Sequence, residues 1–148
     1  MRRALLLAAV ALAALALPAL APPALAQPRS FSCVGAEALE DDVFAVPFAG
    51  GSAILRDAAR SALSAAAALA EGDRDRNICV LGHADRRGGA GSSTTLAAQR
   101  ARAVALALSQ QGIERDRIRA EARVGAYSGR QTEPGSRAVT IVVMPTLP

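Results

Sequence analysis

The chain has no lysine: all seventeen basic residues among its 148 are arginine. Thirteen acidic residues are interspersed with them, so the basic block that would meet nucleic acid or an anionic membrane surface is missing. Histidine occurs once, at His83, and cysteine twice, at Cys33 and Cys79. Two lone thiols and a distant imidazole lack the ligand number and spacing of a metal site. No Gly-x-Ser-x-Gly elbow occurs, which removes the exposed nucleophile of the α/β-hydrolases. Nothing in the sequence calls for a metal, a cofactor or an enzymatic activity.

Long uninterrupted apolar runs are scarce too. Ala4 to Leu17 is one, preceded by Arg2 and Arg3 and followed by Ala24-Leu25-Ala26, a small-residue cleavage pattern. Residues 1–26 therefore read as a signal peptide cut after Ala26, with export to the periplasm. The rival reading is an uncleaved anchor, but Pro18, Pro22 and Pro23 shorten the usable apolar helix. Without the signal, 122 residues remain, enough for one domain. Two arginines leave with it, which lowers the formal charge from +4 to +2. Ser30-Phe31-Ser32 before Cys33 is a poor lipid-attachment signal. In an exported chain the pair Cys33 and Cys79 reads first as a disulfide. The alternative is Cys79 as a small buried apolar residue with Cys33 free.

The mature chain divides into a polar lead-in, residues 27–41, and a domain over residues 42–145. Val43 to Phe48 patterns as a strand with Phe44, Val46 and Phe48 on one face. Leu55, Ala59, Ala62, Ala66 and Leu69 keep a 4,3,4,3 spacing, an amphipathic helix ending at Gly72. Ile78-Cys79-Val80-Leu81 suits a strand buried on both faces. A second helix is expected from about Thr94 to Gln111, capped by Ser92 or Ser93 and ended by Gly112. Ile118, Ala120, Ala122 and Val124 alternate with Arg117, Arg119, Glu121 and Arg123, a strand with one wet face. After a loop, Arg137 to Val143 forms the last strand. The order β-α-β-α-β-β implies an α+β two-layer sandwich with two helices on one face of a mixed sheet.

Within that frame Arg100 is anomalous. It lies four residues after Leu96 and four before Val104, on the inward helix face, while Arg102 points the opposite way. An inward charge needs a partner or a ligand, and Asp85, just after the buried strand, is the candidate. From the residues alone, an internal salt bridge and a ligand site stand level. His83 and Asp85, with Ser92 or Ser93 nearby, suggest a catalytic set, yet a loop-supporting His83 is the simpler reading. Arg86, Arg87 and Arg102 read as solvated surface. Tyr127, the only tyrosine, lies in the long loop and serves packing or a ligand equally well.

Gly82-His83-Ala84-Asp85-Arg86-Arg87-Gly88, Leu96-Ala97-Ala98-Gln99-Arg100-Ala101, Phe48-Ala49-Gly50-Gly51-Ser52-Ala53 and Arg137-Ala138-Val139 together resemble the OmpA-like domain, the peptidoglycan-binding module of OmpA, MotB and the peptidoglycan-associated lipoprotein. The resemblance runs from about Val43 to Val143. It implies noncovalent binding of the diaminopimelate of the peptidoglycan stem peptide, with Asp85 on the ligand's ammonium and Arg100 on a carboxylate. Ser93, Arg137 and His83 complete the implied site. It also implies peptidoglycan as partner, with an outer-membrane or envelope protein possible beside it. The chain departs from the family where Ser93 stands for the usual Asn, Ala97 for Ser, and Ser136 and Ala138 for Asn and Arg. Those departures leave open a second reading, a periplasmic interaction protein that keeps the fold with weakened or lost wall binding.

Overall fold

A computed structural model describes residues 28–84, 93–124 and 139–146. Among the described residues four strands, β1 (Val43–Val46), β2 (Ile78–Ala84), β3 (Ile118–Val124) and β4 (Val139–Val143), form one sheet in the order β1-β4-β2-β3. β4 runs antiparallel to both of its neighbours, with Val43 opposite Val142 and Val80 opposite Ile141, and β2 and β3 are parallel. With helices α1 (Arg60–Gly72) and α2 (Thr94–Gln110), this is the α+β arrangement expected from the element order.

β1 stops two residues short of the expected Phe48 because Pro47 has no N–H to give to a ladder. Phe44, Val46 and Phe48 still reach a single cluster. The first helix also starts later than its spacing implies. Leu55 lies outside it, Arg56 is extended, and a 3-10 turn at Asp57–Ala59 leads into α1. Leu55 meets the core from that extended segment, so periodicity counted two residues, Leu55 and Ala59, that the α-helix does not contain. Ser93 caps α2, its Oγ accepting the Leu96 N–H at 3.1 Å. At the far end Gly112, with φ 101°, turns the chain so that the Ile113 N–H bonds to the Leu108 carbonyl.

Alternation along the strands sorts the core into two clusters, one on each face of the sheet. On the helix side Val46, Ile78, Val80, Val139, Ile141 and Val143 meet Leu63, Ala66, Ala70, Val104 and Leu108. Alanines along α1 let it approach the sheet closely. On the other side Cys79, Leu81 and Val142 are covered by the lead-in, through Cys33 and Ala36 with Phe31 and Leu39 beside them. Cys33 and Cys79 are disulfide-bonded, Cα to Cα 5.7 Å. Arg119 Nη1 and Arg123 Nη2 donate to the carbonyls of Phe31 and Cys33, both at 3.0 Å. The expected double burial of Ile78 to Leu81 holds, with helices on one side and the lead-in on the other.

Candidate functional site

Arg100 sits just under two turns into α2 and is 4% exposed. Its Nε donates to the Ser52 carbonyl at 2.7 Å and its Nη2 to the Ala49 carbonyl at 3.0 Å. Its guanidinium carbon lies 5.4 Å from the centroid of the Phe48 ring, within cation–π range. The Ala49 carbonyl also accepts the Ser52 N–H, closing a turn. Arg100 thus ties the β1–α1 loop to the start of α2. Burial draws its pKa down, but a guanidinium begins so far above neutrality that it keeps its charge. A cation held this deep by carbonyl dipoles favours an anion nearby.

Packing at the start of α2 depends on Gly82. A Cβ built there would lie 2.0 Å from the Ala97 carbonyl oxygen and 2.7 Å from its carbon. Helix α2 therefore rests backbone against backbone on β2, and only glycine allows it. The glycine of Gly82-His83-Ala84-Asp85 fixes how far Ser93, Ala97 and Arg100 stand from the end of β2.

Of the residues expected at the site, Asp85 and Arg137 lie outside the described residues, as do Arg86, Arg87, Ser92 and Tyr127. Ser93 is one helical stretch from Arg100, and its Oγ serves as the α2 cap. His83 and Arg100 are not brought together: His83 shares the face of Cys79 and Leu81, opposite the helices. There its Nε2 meets Thr140 Oγ1 at 2.7 Å. Burial first, then the Arg123 charge, with Glu37 opposing, bring the His83 pKa down to about 4. Its imidazole is neutral at pH 7. Among the described residues no three His, Cys, Asp or Glu side chains are grouped to hold a metal ion.

Arg117 was expected on a wet face, and the structure corrects this. It is 1% exposed and lies in a 3-10 turn just before β3. Its Nη2 donates to the carbonyls of Ala70 and Asp73 at 2.7 and 2.9 Å, its Nε to that of Arg76 at 3.0 Å, and its Nη1 pairs with Glu114 at 3.0 Å. It satisfies the end of α1 and the approach to β2 together. Carbonyl acceptors leave no mark in a sequence, so only its neighbour Glu114 hinted at this role. Arg76 acts similarly, donating to the carbonyls of Met144 and Val143 while pairing with Asp42.

A four-stranded mixed sheet with two helices on one face, and a buried arginine at the start of the second helix, defines a small α+β domain that presents a charged strand–helix junction. The chain belongs to the OmpA family, whose model matches residues 47–140. Among solved structures, it is similar to the OmpA-like domain of FopA1 from Francisella tularensis at 18% identity and TM-score 0.57, over 74% of this chain and 80% of that one. It is similar to the peptidoglycan-associated lipoprotein from Burkholderia pseudomallei at 23% identity and TM-score 0.55, over 68% and 88%. It is also similar to the cell wall anchor of the T6SS from Pseudomonas aeruginosa at 27% identity and TM-score 0.51, over 66% and 73%. Among curated proteins, none matches the chain.

Proposed function

We propose that this chain is a noncovalent peptidoglycan-binding module that takes the diaminopimelate of the stem peptide between Asp85 and Arg100. The carrying observation is the buried Arg100 guanidinium, fixed by Ser52, Ala49 and Phe48. A carboxylate of the ligand meets the same forked cation, and Asp85, next after the last residue of β2, meets the ligand's ammonium. Ser93 and Arg137 are assigned supporting contacts, while His83, on the opposite face of the sheet, supports the end of β2 through Thr140. Family membership supports this reading, as do neighbours whose names include a peptidoglycan-associated lipoprotein and a cell wall anchor. Residues 1–26 direct export to the periplasm, the domain spans residues 42–145, and the chain holds the wall by binding, without chemistry. No helix among the described residues is long and apolar enough to cross a membrane.

Sedimentation of the purified chain with isolated sacculi tests the reading, with free meso-diaminopimelate as competitor. Asp85→Asn and Arg100→Lys keep the shape or charge of each side chain while removing its role. Loss of one partner of a buried charged contact weakens binding roughly 30- to 4000-fold, so both variants are expected to stay in the supernatant. Arg100 also anchors the β1–α1 loop, so circular dichroism must show each variant folded. Folded variants that sediment as well as the wild type would make the pair structural. They would leave the second reading, a periplasmic interaction protein without wall binding.

A further inference from the structure

A groove of about 220 Å³ runs between α2 and β3, lined by Ala105, Leu106, Ser109, Arg115, Ile118 and Ala120. β3 is the last strand in the order of the described sheet, so one side of it offers backbone N–H and C=O groups for strand pairing. Ala122 and Val124 continue the groove-side alternation of Ile118 and Ala120. Leu106 and Val124 are 51% and 49% exposed, two of the few large apolar side chains left uncovered. Along α2, Arg102, Leu106 and Ser109 share one face at i, i+4 and i+7, opposite Arg100.

Charge selects what belongs there. Most described arginines are neutralised in ion pairs, as Arg60 is by Asp57, Arg74 by Glu114 and Arg119 by Glu121. Arg115 at the groove and Arg102 beside it are in no ion pair among the described residues. The volume falls below the ~300–1,000 Å³ of small-molecule pockets and suits one or two side chains. An edge strand beside a helix, with an apolar floor and uncompensated cations, is the geometry of strand addition.

We infer that this groove takes an extended segment of a partner protein, which pairs with β3. Alternate apolar side chains of the segment enter beside Leu106, Ile118 and Ala120, and acidic residues meet Arg115 and Arg102. Neither Asp85 nor Arg100 takes part, so the inference stands apart from wall binding.

The probe is a blocked, fluorescent heptapeptide, Glu-Thr-Val-Thr-Val-Thr-Glu, set against its Lys-ended counterpart. Each is titrated by anisotropy to about 1 mM with the full chain. The Glu-ended peptide is expected to bind at least about tenfold tighter. That preference should reverse in the Arg102→Glu, Arg115→Glu double variant. Leu106→Glu should weaken binding about tenfold, and the β3 amides should exchange more slowly in the complex. These three substitutions are at the surface, and unchanged circular dichroism and thermal unfolding confirm that the fold is intact. Equal binding of the two peptides, or none by either, overturns the inference. So does a peptide-free dimer with protected β3 amides, which would make a second copy the occupant. Asp85→Asn and Arg100→Lys are expected to leave the peptide titration unchanged, so failure of either reading shows separately.

Discussion

Replacing Gly82 by alanine adds one methyl group where the structure has no room for it. The new Cβ would stand 2.0 Å from the Ala97 carbonyl oxygen and 3.3 Å from Ala101 Cβ. A carbon and a carbonyl oxygen come no closer than about 3.3 Å, so α2 must retreat by roughly 1.3 Å at this point. Overpacking costs typically about 1–3 kcal/mol. The atom struck here is backbone and cannot rotate aside, which puts Gly82→Ala near the upper end, about 3 kcal/mol. Retreat of α2 would also loosen Leu96, Ala97 and Ala101, all buried against the sheet or its neighbours. Urea unfolding followed by circular dichroism measures the loss, and thermal unfolding is expected to show a fall in Tm of about 10 °C. Gly72→Ala is the control: Gly72 is the last residue of α1, and a Cβ there meets nothing within 4 Å, so the change should not destabilise and should gain less than about 1 kcal/mol. If Gly82→Ala unfolds within about 0.5 kcal/mol of the wild type, the close approach of α2 to β2 is not what the glycine permits. The account of how the site is positioned would then fail with it.

Arg117→Met keeps the apolar stem but leaves the carbonyls of Ala70, Asp73 and Arg76 without that donor, and a loss of about 3 kcal/mol or more is expected in the same urea assay. Reduction of Cys33–Cys79, or Cys33→Ser with Cys79→Ser, removes a link spanning 46 residues of sequence; a cost of about 4 kcal/mol is expected in the chain-entropy model, and the unfolded, unreduced protein should show no reactive thiol. His83 gives a pH dependence whose sign follows from its lowered pKa of about 4: between about 6.5 and 4 the unfolded chain takes up the proton and the folded one does not. Stability is therefore full above about pH 6.5 and falls as pH drops toward 4, by at most about 3 kcal/mol from this group. As the single histidine, it is directly assignable by NMR, and a midpoint near 6.5 in the folded protein would refute its burial.

The inward turn of Arg100 was legible because hydrophobic spacing states which helix face is buried, and a charge on that face stands out. Its described partners were not legible, since the carbonyls of Ser52 and Ala49 belong to any residue type. The doubly buried run Ile78 to Leu81 was equally plain, while what covers its second face was not. Phe31, Cys33, Ala36 and Leu39 follow neither a helical nor a strand period, because the lead-in crosses the sheet as irregular chain around a 3-10 turn. Arg117 misled because its place in the alternation with Arg119 and Arg123 imitates a solvated face. His83 was expected near the site from its place in the Gly82-His83-Ala84-Asp85 run, but strand periodicity does not say which side of the sheet His83 faces. Strand order is set by pairings between distant segments, and no local pattern announces it.

That strand order has a consequence for how the molecule comes into being. The last strand to be made, β4, lies between β1 and β2, the two that precede all others in the chain. Until Val139 to Val143 emerge, the early strands have no common neighbour and the sheet has a gap at its centre. Closing that gap joins residues as far apart as Val43 and Val142, a non-local pairing that slows folding. A chain cut after Val124 would lose its middle strand rather than an edge. Partly made copies of this protein should therefore stay open and vulnerable to proteases, and only a complete chain should close.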